Sequence, residues 1–552
     1  MQPTPLQLPA NFHPHNDVLV LVGRGFEAAA QELHEAGFQR VLLVLPPEAE
    51  APGGFPPEQA PKTSVELLEC VSSFRPPLPA QVAIRKSTDA WCPLEELQEL
   101  AQRIEEALRS RRMLQHTIEK NGKDALLQGL RNLPNVARHP SVAALDGAFE
   151  GKPCVLVSPG PSLSRNVHLL PELKGKALLI TGTHALASFR SVGVDPDVVL
   201  AADAGDLARH VRDYDLANVH AFVAAATTQS YNFEQAAPRT FSFAGNGVVD
   251  DWIYEGLDEN ARLRTGGSVA CSALSLALRL GCDPIVLVGQ DLSFSDGRFY
   301  AEENLDGDAA VETAADGTFR VIKKETSDEY GAGRDEDGNV VFMQPRKTTE
   351  VPGYHGGTVQ TSEAFRAFLF WFDTVCESQT QEGRRIWNCT EGGARIRGAE
   401  QLPLAEALAA FRELPPLDAS ALLDRSVAAF VPEERATRLS EHFRDTLREL
   451  ERCSELSRQC QAKLPLALKN ETGRAQFEVL ERRMRDAVQP LQVLPVVAQK
   501  EIHAAVLVAQ AAQTLEENLR ASALLFETFD RAAQFVRKPI EEALEELSTI
   551  RA

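Results

Sequence analysis

A chain of 552 residues, 44% hydrophobic, 24% charged and only 7% aromatic, carries core material for several globular domains and is neither disordered nor fibrous in composition. Its formal charge of −21 excludes nucleic acid or an anionic membrane as the main partner, because a polyanion needs a basic surface against which to release counterions. The nine cysteines, at 70, 92, 154, 271, 282, 376, 389, 453 and 460, sit mostly in apolar runs and never at C-x-x-C spacing, which predicts reduced thiols and no structural zinc.

The opening MQPTPLQLPANFHPHNDVLV has neither a basic start nor an apolar stretch of the signal-peptide kind, and no run of 18 uncharged apolar residues occurs, so a cytoplasmic protein with no membrane role of its own is expected. After it, DVLVLVG (17–23) and RVLLVLP (40–46) flank a helical FEAAAQELHEAG, a βαβ pattern. The GRGF between them lacks the third glycine and the acidic residue of a dinucleotide site. Residues 1–111 therefore read as a small N-terminal α/β accessory domain.

Residues 112–400 read as a second domain. Short runs, CVLVS (154–158), ALLIT (177–181), VVLAAD (198–203), HAFVAAAT (220–227), FSFAG (241–245) and PIVLVG (284–289), are apolar almost throughout, as expected of parallel strands covered on both faces. The fold class is α/β, a doubly wound, Rossmann-like and mostly parallel sheet with ligands at the carboxyl ends of its strands. A charged, Gly- and Asp-rich stretch between about 300 and 350 predicts a hairpin or mobile flap. From 401 to 552, apolar residues at i, i+3, i+4 and i+7 predict a C-terminal helical bundle, a packing or homo-oligomerisation module.

Several strand ends carry chemistry. S-P-G-P-S-L (158–163) halts the first central strand on prolines and a glycine, placing Gly160 for backbone contact with a ligand and a following helix N-terminus for an anion, with Ser158 and Ser162 as added donors. A tight structural turn explains the same residues. No G-K-[ST] follows, so the loop is not a Walker A motif. Thr183 and His184 suit ribose or base contacts, and Asp203 and Asp206 a divalent ion or a hydroxyl, Asp206 alternatively capping a helix. Gly266, Gly267 and Ser268 open another helix as a second anion site, and Gln290 and Asp291 end the next strand. Tyr354 and His355 lie between glycines on a loop that suits closure on a substrate, and Thr390 and Glu391 lie on another; His355 and Glu391 compete as general base.

Taken in order, SPGPSL, GTHAL, GVDPDVVLAAD, TGGSVACSAL, GCDPIVLVGQDLSF and NCTEGGARIRG resemble the motility-associated factor (Maf) family of flagellin glycosyltransferases, whose central domain is grouped with 6-hydroxymethylpterin diphosphokinase-like domains and is similar in fold to bacterial sialyltransferases. The resemblance spans about residues 112–400. It implies inverting transfer of a pseudaminic- or legionaminic-type nonulosonic acid from its CMP-activated form to Ser or Thr of flagellin, with no tightly bound cofactor and the divalent metal left open. It implies that Ser158, Gly160, Pro161, Ser162 and Leu163 bind CMP, that Gly266, Gly267 and Ser268 face the same nucleotide, and that Asp203 and Asp291 line the pocket. Tyr354 and His355 are chemically suited to the leaving-phosphate and base roles, although no motif equates them with the sialyltransferase residues. The alternatives are an ATP- and magnesium-dependent 6-hydroxymethylpterin diphosphokinase using Asp203, Asp206 and Asp291, against which no aromatic sandwich for a pterin is legible, and a non-catalytic flagellin-binding or chaperone-like protein.

Overall fold

The structure, a computed structural model, describes residue 12 and residues 17–551 apart from 39, 46–48, 54, 57–58, 62–63, 73–78, 80–81, 87–93, 204–207, 213, 324–332, 335–339 and 342–345. The first part is built on β1 (Val18–Val22), α1 (Glu27–Glu35), β2 (Val41–Val44) and β3 (Val82–Lys86). Both neighbours of β1 run parallel to it in the order β2-β1-β3, so the predicted βαβ unit is present. A long helix, α2 (Leu94–Arg131), then runs unbroken past position 111 and ties this part to the next.

The central sheet takes its strands in chain order from β4 (Cys154–Val157), β5 (Leu178–Gly182), β6 (Val198–Ala201), β7 (Ala221–Ala225) and β8 (Thr240–Phe243). Helix α3 (Val269–Arg279) leads to β9 (Ile285–Val288). Strand side chains alternate between faces, and here both faces are covered. Cys154, Leu156, Leu178 and Ile180 join one buried cluster with α3, whereas Val155, Val157, Leu179, Val286 and Val288 join another. That is why the sequence shows continuous apolar runs rather than alternation.

The stretch after β9 contains a hairpin, one of the two forms expected of it. Strands β10 (Ala309–Thr313), β11 (Thr318–Lys323), β12 (Arg346–Pro352) and β13 (Thr358–Ser362) form an antiparallel sheet in that order, while much of the intervening acidic loop lies outside the described residues. Helix α4 (Glu363–Gln381) follows, then β14 (Ile386–Asn388) and β15 (Glu400–Gln401). These complete an eight-stranded, all-parallel sheet in the order β15-β14-β9-β4-β5-β6-β7-β8. The chain moves from β4 outward to β8 and then returns to the other side of β4 as β9, so a topological switch point lies between β4 and β9.

Beyond residue 403 the chain is helical, dominated by α5 (Pro432–Lys469), α6 (Glu471–Val488), α7 (Val493–Ala511) and α8 (Leu515–Ser548). Leu450, Cys453, Leu456 and Cys460 of α5 share a core with Phe477 of α6 and Phe526 and Val536 of α8, the predicted bundle. Among the described residues, no helix is long and apolar enough to cross a membrane.

Candidate functional site at the switch point

A cavity of about 220 Å³ opens at the carboxyl ends of β4, β5, β6 and β9. Its wall takes Ser158, Gly160 and Pro161 from the loop after β4, Gly182 from the end of β5 and His184 from the turn that follows, Asp203 from the loop after β6, Ser268 and Val269 from the start of α3, and Gln290 and Asp291 from the loop after β9. Parallel strands present their carboxyl ends on one side, so loops far apart in sequence meet here.

The interior of the S-P-G-P-S turn departs from the sequence expectation. Asp291, 2% exposed, accepts hydrogen bonds from the Ser162 backbone N–H at 3.2 Å and from the Ser162 hydroxyl at 2.6 Å. The acid at the start of the short helix that follows, Leu163–Asn166, is therefore the chain's own carboxyl group. Gly160 is glycine for the same reason. A Cβ there would collide with the Asp291 carboxylate and the Gly289 carbonyl, while the Gly160 N–H donates to Gly289 O at 2.9 Å. Ser162 is fully buried and Leu163 packs in the core beneath the sheet, and neither lines the cavity; a leucine inserted between strand and helix is core, not ligand contact. Burial pushes the Asp291 carboxyl above its ordinary range, and the Ser162 donors pull it partly back.

Ser158 and Gln290 are held as a pair, the serine hydroxyl donating to Gln290 Oε1 at 2.6 Å, and the Gln290 N–H donates to Thr390 Oγ1 at 3.1 Å. Thr390 is thus a buried support rather than part of the wall. Thr183 is likewise buried outside the wall.

The second helix start behaves differently. Ser268 caps α3, its hydroxyl accepting from the Cys271 N–H at 3.4 Å, and Val269 and Ala270 of the first turn line the cavity, so the positive end of this helix faces the open space. Gly266 and Gly267 do not line it. A Cβ on Gly266 would run into the Trp371 ring, and Gly267, at φ +96°, would meet Phe368 at 2.8 Å. These glycines let α4 pack against the entrance of α3.

His184 sits on the wall with its ring centroid 4.0 Å from that of His210 and 5.9 Å from Tyr300. Burial, then His210, push its pKa down to about 4, so the imidazole is neutral at pH 7; Asp203 and Asp306 act in the opposite sense. His210 lies 3.8 Å from the buried Asp306, which Arg209 holds at 2.6 Å. Asp203 and Asp291 both reach the cavity, whereas Asp206 lies outside the described residues. Among the described residues no group of His, Cys, Asp and Glu is arranged to hold a metal ion.

The loops bearing Tyr354, His355 and Glu391 are not part of this cavity. The Tyr354 hydroxyl donates to the carbonyls of Asn388 and Leu402, both at 3.2 Å, and the Glu391 carboxylate accepts from the Leu404 N–H at 2.8 Å and from Asn166 at 3.2 Å. The exposed His355 ring contacts Glu391 O at 3.2 Å. Their polar groups join loops together; the sequence expectation of a catalytic trio rested on residue types that serve equally well as ties.

What the sequence reading missed is an aromatic wall of Phe299, Tyr300, Phe365 and Phe368. The signal was present as F-x-x-F at the start of α4 and F-Y after G-R, but nothing local says that these rings face the same space. Among the described residues that line the cavity there is no Lys or Arg; those present offer a ligand's charge helix amides, hydroxyls and ring edges.

Residues 127–297 match a protein-family description, 6-hydroxymethylpterin diphosphokinase MptE-like. No curated protein matches the chain. Among solved structures, a Maf glycosyltransferase from Magnetospirillum magneticum AMB-1 aligns over 95% of this chain and 71% of its own, at 12% identity and a TM-score of 0.46. The match at 127–297 takes in β4 to β9 and hence the loops that build the switch-point wall, so the centre of this chain is similar to the MptE-like domains with which the motif order had grouped it.

Proposed function

We propose that the chain is a glycosyltransferase that moves a nonulosonic acid from its CMP-activated form to Ser or Thr hydroxyls of flagellin in the cytoplasm. The observation that carries this reading is the wall at the β4/β9 switch point, where loops containing the Maf-like motifs meet an aromatic face and an open helix start. The rings of Phe299, Tyr300, Phe365 and Phe368 suit a flat base, and the Val269 and Ala270 amides suit the phosphate.

In the reaction, a bond forms between the acceptor oxygen and the anomeric carbon as the bond from that carbon to the CMP phosphate breaks. Negative charge collects on the departing phosphate, where the start of α3 stabilises it without reorganising. The acceptor proton passes to His184, the neutral imidazole on the wall, and Asp203 and Asp306 favour the imidazolium that results.

The aromatic wall also answers the objection that no ring-binding face for a pterin was legible, so a diphosphokinase using ATP and magnesium is the second reading. A melting experiment with CMP, a CMP-nonulosonic acid and ATP–Mg separates them, since a ligand of the folded state raises its melting temperature. Stabilisation by CMP and its sugar is expected; stabilisation by ATP–Mg alone overturns the proposal in favour of the kinase, and no response to any nucleotide favours a non-catalytic flagellin-binding role. Co-expression with flagellin and the sugar-pathway enzymes should raise the flagellin's intact mass by one or more sugar units, and an unchanged mass with the activated sugar present counts against transfer.

A further inference from the structure

A second and larger cleft, about 740 Å³, lies where α2 meets α4, the end of β12 and the 395–399 segment. Among the described residues it shares no lining residue with the switch-point cavity. Its volume falls in the range of ligand-binding clefts, and it sits between two parts of the chain, where such sites concentrate.

Its charges are almost all spoken for. Arg103 pairs with Glu377, Arg366 with Glu106 at 2.5 Å, and Arg397 with Glu99 at 3.0 Å and Asp373 at 3.1 Å. Arg395 stands apart. Its side chain is exposed and has no ion pair or hydrogen bond among the described residues, although its backbone N–H is anchored on Pro352 O at 2.8 Å. Arg103, by contrast, is buried and held, so the guanidinium offered to a ligand is that of Arg395.

The backbone beside it is open as well. In the antiparallel β12–β13 pair, the Thr348 N–H and the Pro352 C=O point away from β13, as shown by the Thr348 N–H donating to Gly317 O and Pro352 O accepting from Arg395. Residues two apart in a strand face the same way, so Glu350, midway between them, aims its N–H and C=O outward too. Its main chain has no partner on that side among the described residues, and Glu350 lines the cleft; its carboxylate is turned to Thr358 at 3.1 Å. Val351, Pro352, Leu369, Phe370 and Ile396 supply an apolar floor.

An open strand amide and carbonyl, an apolar floor and one unpaired guanidinium form a combination that suits a polypeptide better than a small anion. We infer that this cleft docks an extended peptide segment carrying an acidic side chain, whose backbone pairs with Glu350 and whose carboxylate meets Arg395. The inference does not depend on the reading of the switch-point cavity. The docked segment would lie along α4, whose Phe365 and Phe368 line that cavity from another face of the same helix.

The test is selection of a random displayed heptapeptide library on the full chain, followed by affinity measurements on the capped peptides recovered. Acidic sequences should be enriched, should bind at least tenfold more weakly to Arg395→Ala, and should give way to basic sequences when the same library is selected on Arg395→Glu. Both variants must melt with the parent, as expected for an exposed, unpaired side chain. No enrichment on the parent, enrichment unchanged by either substitution, or glutamate and inorganic phosphate binding as tightly as the peptides would each overturn the inference.

Discussion

Two helix starts in this protein carry the same sequence signal and meet different fates. Both the S-P-G-P-S turn after β4 and the G-G-S turn before α3 place small residues and a hydroxyl where free backbone N–H groups seek a negative charge. At the first, Asp291 from the neighbouring strand end supplies that charge internally. At the second, the serine caps its own helix while the first turn faces the cavity. A helix start is therefore a demand for an anion, and whether a ligand or a side chain answers it depends on what the next strand brings alongside.

The comparison can be broken most severely at Gly160. Gly160→Val forces a side chain into the space held by Asp291 and the Gly289 carbonyl, and the expected loss is about 3 kcal/mol or more in chemical denaturation. A variant as stable as the parent would show that the turn is loosely packed and available to a ligand after all.

Asp291→Asn tests the internal anion directly. Losing the carboxyl that takes both Ser162 donors should cost about 1–3 kcal/mol at acidic pH, where it is protonated. Burial raises this carboxyl's pKa, so the folded chain holds a proton that the unfolded chain releases, and the parent loses stability as pH climbs from 3.8 through the raised value. The asparagine variant lacks that slope. The gap between the two stability curves should therefore narrow with rising pH, and a gap that widens would mean that the ionised form is the favoured one.

At the other helix start, Ser268→Ala removes a cap and should cost about 1 kcal/mol. It should also weaken the melting-temperature response to CMP, because the capping residue lines the cavity. Loss of stability with an unaltered CMP response would place the nucleotide elsewhere.

The smallest effect is expected at His355→Ala. The ring is exposed and contacts only a carbonyl and its tyrosine neighbour among the described residues, so the proposed transfer to flagellin should persist while His184→Gln abolishes it. The opposite pattern would return the base to the 351–362 loop.

The uninterrupted apolar runs Cys154–Val157, Leu178–Ile180 and Ile285–Val288 already determined a sheet buried on both faces, because only side chains covered on both sides dispense with alternation. Helical spacing likewise determined the bundle after 403, and the ends of the strands marked Ser158, Asp203, Gln290 and Asp291 as neighbours on one sheet edge. The direction in which those groups point was settled only by packing. Asp291 turns back to Ser162, Gly266 and Gly267 make room for aromatic rings of α4, and Phe299, Tyr300, Phe365 and Phe368 converge from segments dozens of residues apart. Local sequence encodes what a segment can donate or bury. Which partner receives it is a long-range contact, fixed when β9 returns beside β4 and α4 closes over α3.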